Sequence, residues 1–485
     1  MLTNIYFLLP EIYLSTISVL LLGFGVVVIK FQERYSQILK INYLTAISLI
    51  FAAFMLFIQN PNETIYISNG LLIMNDSTIL VKITLLLSSA IILVLPNKMT
   101  DYEFSQLVLL SVLGMMILVS ANDMIVIYLG IELMSLSFYV LATINKNSQH
   151  STEAGIKYFL LGALSSGLLL FGMALIYAYT GETNLQALSA FIWYSSSNEL
   201  VLGALFIFIA LLFKLAAAPF HMWLPDVYEG SPTNVTAFFA IVPKIAILVT
   251  LTNLIYFTFI GIWDSLQPLL IVCAILSLIV GSIGAINQAK IKRLLSYSAI
   301  SHIGFLLIGI IPLSLYSIQA TMIYILLYIV MSLNTFTILL NMSKYNYITQ
   351  FSGLSRMNPV LALTFTFTLL SIAGIPPLAG FFSKYLILVN AVQNDFYLLA
   401  FVAVATSAIS TFYYLRLIKW FFFNDSNFFN YKDIADLTVP VNDTITVNFF
   451  SSIVLGITLW IILTFMMFPQ LISTWTFISV STSLI

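Results

Sequence analysis

The amino-acid sequence reads as an all-α polytopic membrane protein with about 14 transmembrane helices, on three observations. Of 485 residues, 61% are hydrophobic and only 8% charged. Mean hydropathy is +1.05. The apolar residues fall into runs of roughly 17 to 25, the length that crosses about 30 Å of hydrocarbon at about 1.5 Å per residue. That balance excludes a water-soluble fold, and 1–485 reads as a single membrane domain. A formal net charge of −1 gives nucleic acid no footprint. The single cysteine, Cys273, and three scattered histidines exclude a disulfide framework and offer no ligand set for a metal or iron–sulfur cluster. No cofactor is therefore expected on this chain. The opening MLTNIYFLLPEIYLS lacks an Arg-rich import pattern and a small-residue cleavage site, so the first membrane helix is expected to direct insertion.

Taken in order, apolar runs at 12–29, 39–58 and 77–95 form an N-terminal group of three helices within 1–100. Five follow at 104–121, 123–143, 156–179, 200–222 and 235–258, and five more at 266–287, 294–311, 316–341, 359–390 and 396–418. The twelfth is long and interrupted. A loop and a last helix at 448–468 occupy 421–485, and the final stretch, 471–485, is too short for a fifteenth span.

Charge placement tests that count independently, because Lys and Arg collect in short loops on one side of a membrane. Loops after odd-numbered helices hold Lys30, Arg34, Lys40, Lys98, Lys146, Lys157, Lys290, Lys292, Arg293, Lys344, Arg356, Arg416, Lys419 and Lys432. Loops after even-numbered helices hold Glu63, Asp76, Glu182, Glu199, Asp264 and Asp395, with no Lys or Arg. Both termini are thus expected on the outer side. The loop after helix seven, with Asp226 and Glu229 and no lysine, departs from the basic pattern.

Lys82, Lys214, Lys244 and Lys384 fall inside spans instead. A charge at the bilayer centre costs about 2.5–3.5 kcal/mol on insertion scales. Glu132 and Lys244 each lie about ten residues into a span, roughly 15 Å deep. Lys214 and Lys384 are also beyond snorkelling distance. Lys82 is shallower and near Asp76, which suits an interfacial anchor or a local ion pair. Glu132 is the only clear carboxylate in the spans, so three ammonium groups cannot all be paired with it. Desolvation weakens an ammonium's hold on its proton, and an approaching opposite charge restores it. Buried lysines beside a movable carboxylate can therefore act as proton stations.

Two helices break beside these lysines. In KLAAAPFHMWLPD, Pro219 removes a backbone donor just after Lys214; in AGIPPLAGFFSK, Pro376 and Pro377 interrupt the helix before Lys384. Free backbone groups in a membrane need protein or water, so a hydrated cavity is expected at each break. The breaks lie in helices seven and twelve. Helices four to eight (104–258) and nine to thirteen (263–420) can thus be treated as five-helix repeats, and five being odd, the second is inverted. Lys214 then corresponds to Lys384, and Glu132 to His302, in SYSAISHIG. His302 is a candidate relay, with His221, beside Pro219, and Tyr297 in support.

The stretches GIELMSLSFYVL, AGIKYFLLGALSSG, FKLAAAPFHMWLPDVYEGSPT, TAFFAIVPKIAIL, IKRLLSYSAISHIGF and GLSRMNPVLALTFTFTLLSIAGIPPLAGFFSK together resemble the antiporter-like, proton-pumping subunits of respiratory complex I, NADH:ubiquinone oxidoreductase, and among them the subunit 2 type. Lysine at position 384 and the lack of a long C-terminal helix argue against the subunit 4 and 5 types. Asn234 departs from the proline many relatives carry there. The resemblance implies that Glu132 pairs with Lys214, Lys244 lies on a hydrophilic axis, and Lys384 gates exit. It also implies a membrane arm shared with other core and supernumerary subunits, with NADH, FMN, iron–sulfur clusters and ubiquinone in those partners and lipid around this chain. Richness in Phe, Tyr, Ile and Asn suits the mitochondrial inner membrane, both termini then facing the intermembrane space, with a bacterial plasma membrane as the alternative. A secondary cation/proton antiporter subunit, or a structural spacer whose lysines never titrate, would be the competing functions.

Overall fold

Only backbone that satisfies its own N–H and C=O groups survives in hydrocarbon, and the computed structural model carries the chain almost wholly as helix. It describes residues 2–29, 34–59, 61, 64–96, 102–194, 197–343, 345–423 and 447–484. The N-terminal group comprises α1 (Leu2–Ile29), α2 (Arg34–Ile58), a hairpin of β1 (Ile65–Ile67) and β2 (Leu72–Met74), and α3 (Asp76–Val94). Next come α4 (Glu103–Ser120), α5 (Met124–Ala142), α6 (Gln149–Thr180), α7 (Leu185–Tyr194), α8 (Asn198–Leu215), α9 (Trp223–Gly230) and α10 (Thr233–Asn253). After a π turn, Leu254–Thr258, follow α11 (Trp263–Ile286), α12 (Ile291–Ile310), α13 (Leu315–Asn341), α14 (Leu354–Met357), α15 (Pro359–Ala373), α16 (Ala379–Gln393) and α17 (Tyr397–Phe423). The chain closes with α18 (Phe449–Thr464) and α19 (Gln470–Leu484). Among the described residues, 12 helices are long and apolar enough to cross a membrane. With the broken pair α15–α16 and the shorter α18, they make up the expected set.

Polar residues at the span ends set the boundaries. Asp123 Oδ1 accepts the Ile125 N–H at 2.8 Å to start α5, and Ser148, Ser197 and Ser314 cap α6, α8 and α13 likewise. Asn358 caps α15, with Pro359 at its first position. Gly181 ends α6 in left-handed backbone, φ +73°.

Several boundaries differ from the hydropathy reading. α1 begins at Leu2 rather than 12, which brings Glu11 inside the helix; Glu132 is therefore not the only carboxylate in a span. α6 begins at Gln149 rather than 156, and Lys157, assigned above to the loop, is two turns into it. The apolar end at 471–485 is helix α19 up to Leu484, packed on α3 and α13. α7, at 10 residues too short to cross, packs on the π turn after α10. The hairpin has a local cause that period-3.6 reading passes over: Asn69-Gly70, with Ser68, Asn69 and Gly70 all at positive φ.

Burial is graded. The span that includes α10 is 100% buried and those of α12 and α13 are 89% buried, whereas α1 and α6 turn most of their surface outward. The centre is thus α10, α12 and α13. The neighbour pairs α4–α5, α5–α6, α6–α8 and α4–α10 recur as α11–α12, α12–α13, α13–α16 and α11–α17. Close approach in the first pair needs glycine, since a Cβ on Gly114 would meet the Met134 nitrogen at 2.9 Å; Gly281 faces Ser301 N at 2.5 Å in the second.

Loops of equal parity gather. Lys157 and Arg293 reach Asp226, and Lys290 and Arg293 reach Glu229, joining the start of α6, the short α9 and the start of α12 on one face. The acidic loop after helix seven is thereby matched to basic neighbours. On the opposite face Asn122 and Asn184 both donate to the Gly70 carbonyl. Lys30, Glu63, Lys98, Lys344 and Lys432 lie outside the described residues.

Candidate functional site

α8 ends at Leu215 because Ala216 takes left-handed backbone, φ 62°, before the chain passes Pro219 to α9. The freed groups are recovered within protein. Ala216 and Ala217 N–H donate to the Phe213 and Leu212 carbonyls at 2.9 and 3.0 Å, and the Trp223 indole donates to Phe213 O at 2.9 Å. Lys214, on the last turn of α8, is buried. Its ammonium donates to the Tyr139 hydroxyl at 3.3 Å and lies 5.7 Å from that ring's centre. Tyr139 is two turns beyond Glu132 on the same face of α5. Glu132 is half-buried, and its Oε1 has no hydrogen-bond partner. Among the described residues no ion pair within 4.0 Å joins Glu132 to Lys214. The pairing that the resemblance implies is not made in this conformation; Tyr139 holds the lysine instead.

At the second break Gly374, φ +89°, ends α15, and Gly380 N–H donates to Ser371 Oγ at 3.0 Å. Lys384 folds back across the gap. Its ammonium donates to Ala373 O at 2.9 Å, a cation capping a helix C-terminus, and lies 5.1 Å from the Phe305 ring centre. The Ala218–Pro219 and Pro376–Pro377 peptide bonds are both cis.

Lys244 sits between the two breaks in the buried α10. Its ammonium donates to Tyr328 OH at 2.8 Å, and Tyr328 OH in turn donates to Ala240 O at 3.5 Å. On α12, His302 Nδ1 bonds Tyr324 OH at 2.6 Å, and Nε2 is buried without a partner. Two small cavities lie among these groups. One, walled by Lys214, Trp223, Tyr228 and Lys244, has room for about one water molecule. The other, walled by Tyr228, Ser298, His302 and Tyr328, has room for one or two. The first cavity abuts the break after α8. The second touches the turn before the other break only at Ile372, and Lys384 does not line it.

Of the supporting residues, His221 stands in the first break, half-buried, with Nδ1 lacking a partner. Tyr297 turns elsewhere, packing over Gly284 on α11, and lines neither cavity. The polar residues that charge-based reading misses are tyrosines: Tyr139, Tyr228, Tyr324 and Tyr328. For three of them the signal was spacing, Tyr139 at i+7 from Glu132 and Tyr324 and Tyr328 at i and i+4 on α13; Tyr228 gave none.

Lys82 pairs with Glu11 of α1 at 2.6 Å rather than with Asp76, and is 1% exposed. Removing one partner of such a pair leaves a buried uncompensated charge, worth about 3–5 kcal/mol. Glu11→Gln or Lys82→Met alone is therefore expected to lower the Tm of the assembled protein, and the double variant to recover most of the loss. A double variant as unstable as the sum would show that the pair is not coupled. At the basic face, Glu229 is pushed up by burial, but Lys290 and Arg293 outweigh this and hold its carboxyl below the ordinary value. The hydrogen bond to Glu229 raises Lys290 in return.

Among the described residues, no three His, Cys, Asp or Glu side chains gather as a metal site would require. Comparison with known proteins bears on the remainder. Residues 121–410 match the family model described as NADH:quinone oxidoreductase/Mrp antiporter, TM. NADH-quinone oxidoreductase subunit N of Pelagibacter ubique is 41% identical over 431 residues, covering 87% of this chain and 90% of that one. NADH-ubiquinone oxidoreductase chain 2 of Marchantia polymorpha is 40% identical over 435 residues, 86% of this chain and 88% of that one. A chain of respiratory complex I from Thermus thermophilus superposes with a TM-score of 0.79 at 28% identity, over 96% of this chain and 98% of that one. A chain of the Mrp complex from Dietzia sp. DQ12-45-1b gives 0.83 at 20% identity, over 100% and 98%, a likeness of fold alone. With the family model matched over more than half its length and relatives near 40% identity over most of it, the chain belongs to the NADH:quinone oxidoreductase/Mrp antiporter transmembrane family.

Proposed function

We propose that this chain is a membrane-arm subunit of a proton-pumping NADH:quinone oxidoreductase and carries protons across the arm through its buried residues. The observation that carries this reading is the sequence of buried basic groups, phenols and small cavities running from Lys214 on α8 to Lys244 and His302 on the most buried helices, α10 and α12. Glu132 tunes Lys214: as the carboxylate approaches, the ammonium is favoured, and as it withdraws the proton is released toward Lys244. Lys384, held on the C-terminus of α15, is the far station. Moving one charge against 100 mV takes about 2.3 kcal/mol, and about two pKa units of coupled shift, at about 1.36 kcal/mol each, would supply it. NADH oxidation and quinone reduction belong to partner subunits.

The recurring neighbour pairs support two repeats, 104–258 and 263–420, inverted about the midplane. The gathering of basic loops on one face supports an orientation with both termini on the opposite, outer side. Relatives near 40% identity include bacterial and plant chains alike, and the composition favours the mitochondrial inner membrane.

The test is Glu132→Gln in the complete oxidoreductase, reconstituted in liposomes. Proton translocation per electron is expected to fall several-fold while Glu132→Asp retains most of it, and both behave alike with or without sodium. Unchanged pumping in Glu132→Gln would leave a spacer role; sodium-dependent loss would favour cation exchange.

A further inference from the structure

Tyr228 carries no charge and no break lies at its position, yet it lines both cavities. It is the one residue that lines both, facing Lys214 and Lys244 on one side and His302 and Tyr328 on the other. Its side chain is fully buried, and its hydroxyl has no hydrogen-bond partner. A second crossing, from Lys244 through Tyr328, also reaches the cavity beside His302, but the Tyr328 hydroxyl hydrogen is directed at the Ala240 carbonyl at 3.5 Å, whereas the Tyr228 hydroxyl is uncommitted. A backbone carbonyl passes no proton on. Across the second cavity, His302 Nε2 is likewise buried and without a partner.

Resting on the relay reading above, we propose that Tyr228 is the relay residue between the two cavities, its hydroxyl handing protons from water beside Lys244 to water or His302 Nε2 on the far side. The step balances. A water in the first cavity, taking a proton from the Lys244 ammonium, gives one to the phenolic oxygen while the original phenolic O–H breaks toward a water or His302 Nε2 in the second cavity, so each bond to hydrogen that is lost is matched by one that forms and the ring stays neutral. Rotation of the hydroxyl resets it. A phenol suits this task because one oxygen both donates and accepts, whereas Phe at this position would keep the packing and close the path.

Tyr228→Phe and Tyr228→Ser, each in the complete oxidoreductase in liposomes, decide the matter. The phenylalanine variant is expected to assemble normally and lose proton translocation by at least about tenfold, the loss of a proton-transfer group typically costing more. The serine variant restores a hydroxyl and admits water, so it retains translocation within about threefold of the natural chain while losing packing. A packing role predicts the reverse order. Phenylalanine at full translocation, serine worse than phenylalanine, or a phenylalanine variant that fails to assemble would each overturn the proposal. Lys244→Met measured alongside separates the two levels: loss there with an intact Tyr228→Phe refutes the tyrosine alone, and full translocation in both refutes the relay itself.

Discussion

Replacing Lys244 with Met is expected to cut proton translocation by at least about tenfold, an effect of about 1.4 kcal/mol or more on the transfer step, while the complex still assembles. Lys244 is buried in the most enclosed helix, and its ammonium meets the Tyr328 hydroxyl and ring, not a carboxylate. Methionine fills similar space without a titrating group and removes a charge whose burial is costly, so the fold gains rather than loses. Lys244→Arg sharpens the test. A guanidinium keeps the positive charge but does not release its proton, so it should fail as methionine does. Proton uptake followed by a pH-sensitive dye in proteoliposomes, alongside the uncoupled quinone reductase rate, separates translocation from electron transfer. Near-normal pumping by the arginine variant would mean that charge alone suffices at this position.

The largest structural effect is expected from Gly380→Ala. At the second break the half-helices touch so closely that a Cβ on Gly380 would lie 1.8 Å from the Ser371 carbonyl oxygen and 2.6 Å from its carbon. These are backbone atoms, held by the last turn of α15, and they cannot swing away as a flexible side chain would. Overpacking commonly costs about 1–3 kcal/mol; a backbone clash this deep should exceed that and displace Lys384, one turn further on. The variant is expected to accumulate poorly and to show no pumping. Gly456→Ala is the control. A Cβ there meets nothing within 4 Å, and alanine in a helix interior is favourable by roughly 0.5–1 kcal/mol, so accumulation should be normal. Normal accumulation of both variants would show that the half-helices can separate at little cost.

The contrast between these sites marks what could be read from sequence. Spans, breaks and buried lysines are one-dimensional signals: hydropathy, Pro and Gly placement, and the cost of a charge in oil each act within a few residues. Glu132, Lys214, Lys244, His302 and Lys384 emerged on that basis. The tyrosines did not, since their apolar bodies count toward hydrophobicity and only three-dimensional packing turns Tyr139, Tyr228 and Tyr328 toward the lysines. The partner of Lys82 was missed for a related reason. Glu11 lies 71 residues away and just outside the first apolar run, whereas Asp76 was near in sequence but not in space. The Glu132–Lys214 contact illustrates a third limit, for sequence resemblance suggests that two groups can meet, not that they are touching in a given conformation.

An experimental structure of the assembled oxidoreductase at a resolution that shows ordered water would test the account most directly. Water bridging Lys214 to Tyr228 and Lys244 in one cavity, and Tyr228 to His302 in the other, is the predicted result. Dry cavities in every conformation of the working enzyme, leaving those groups with no hydrogen-bonded connection, would contradict it.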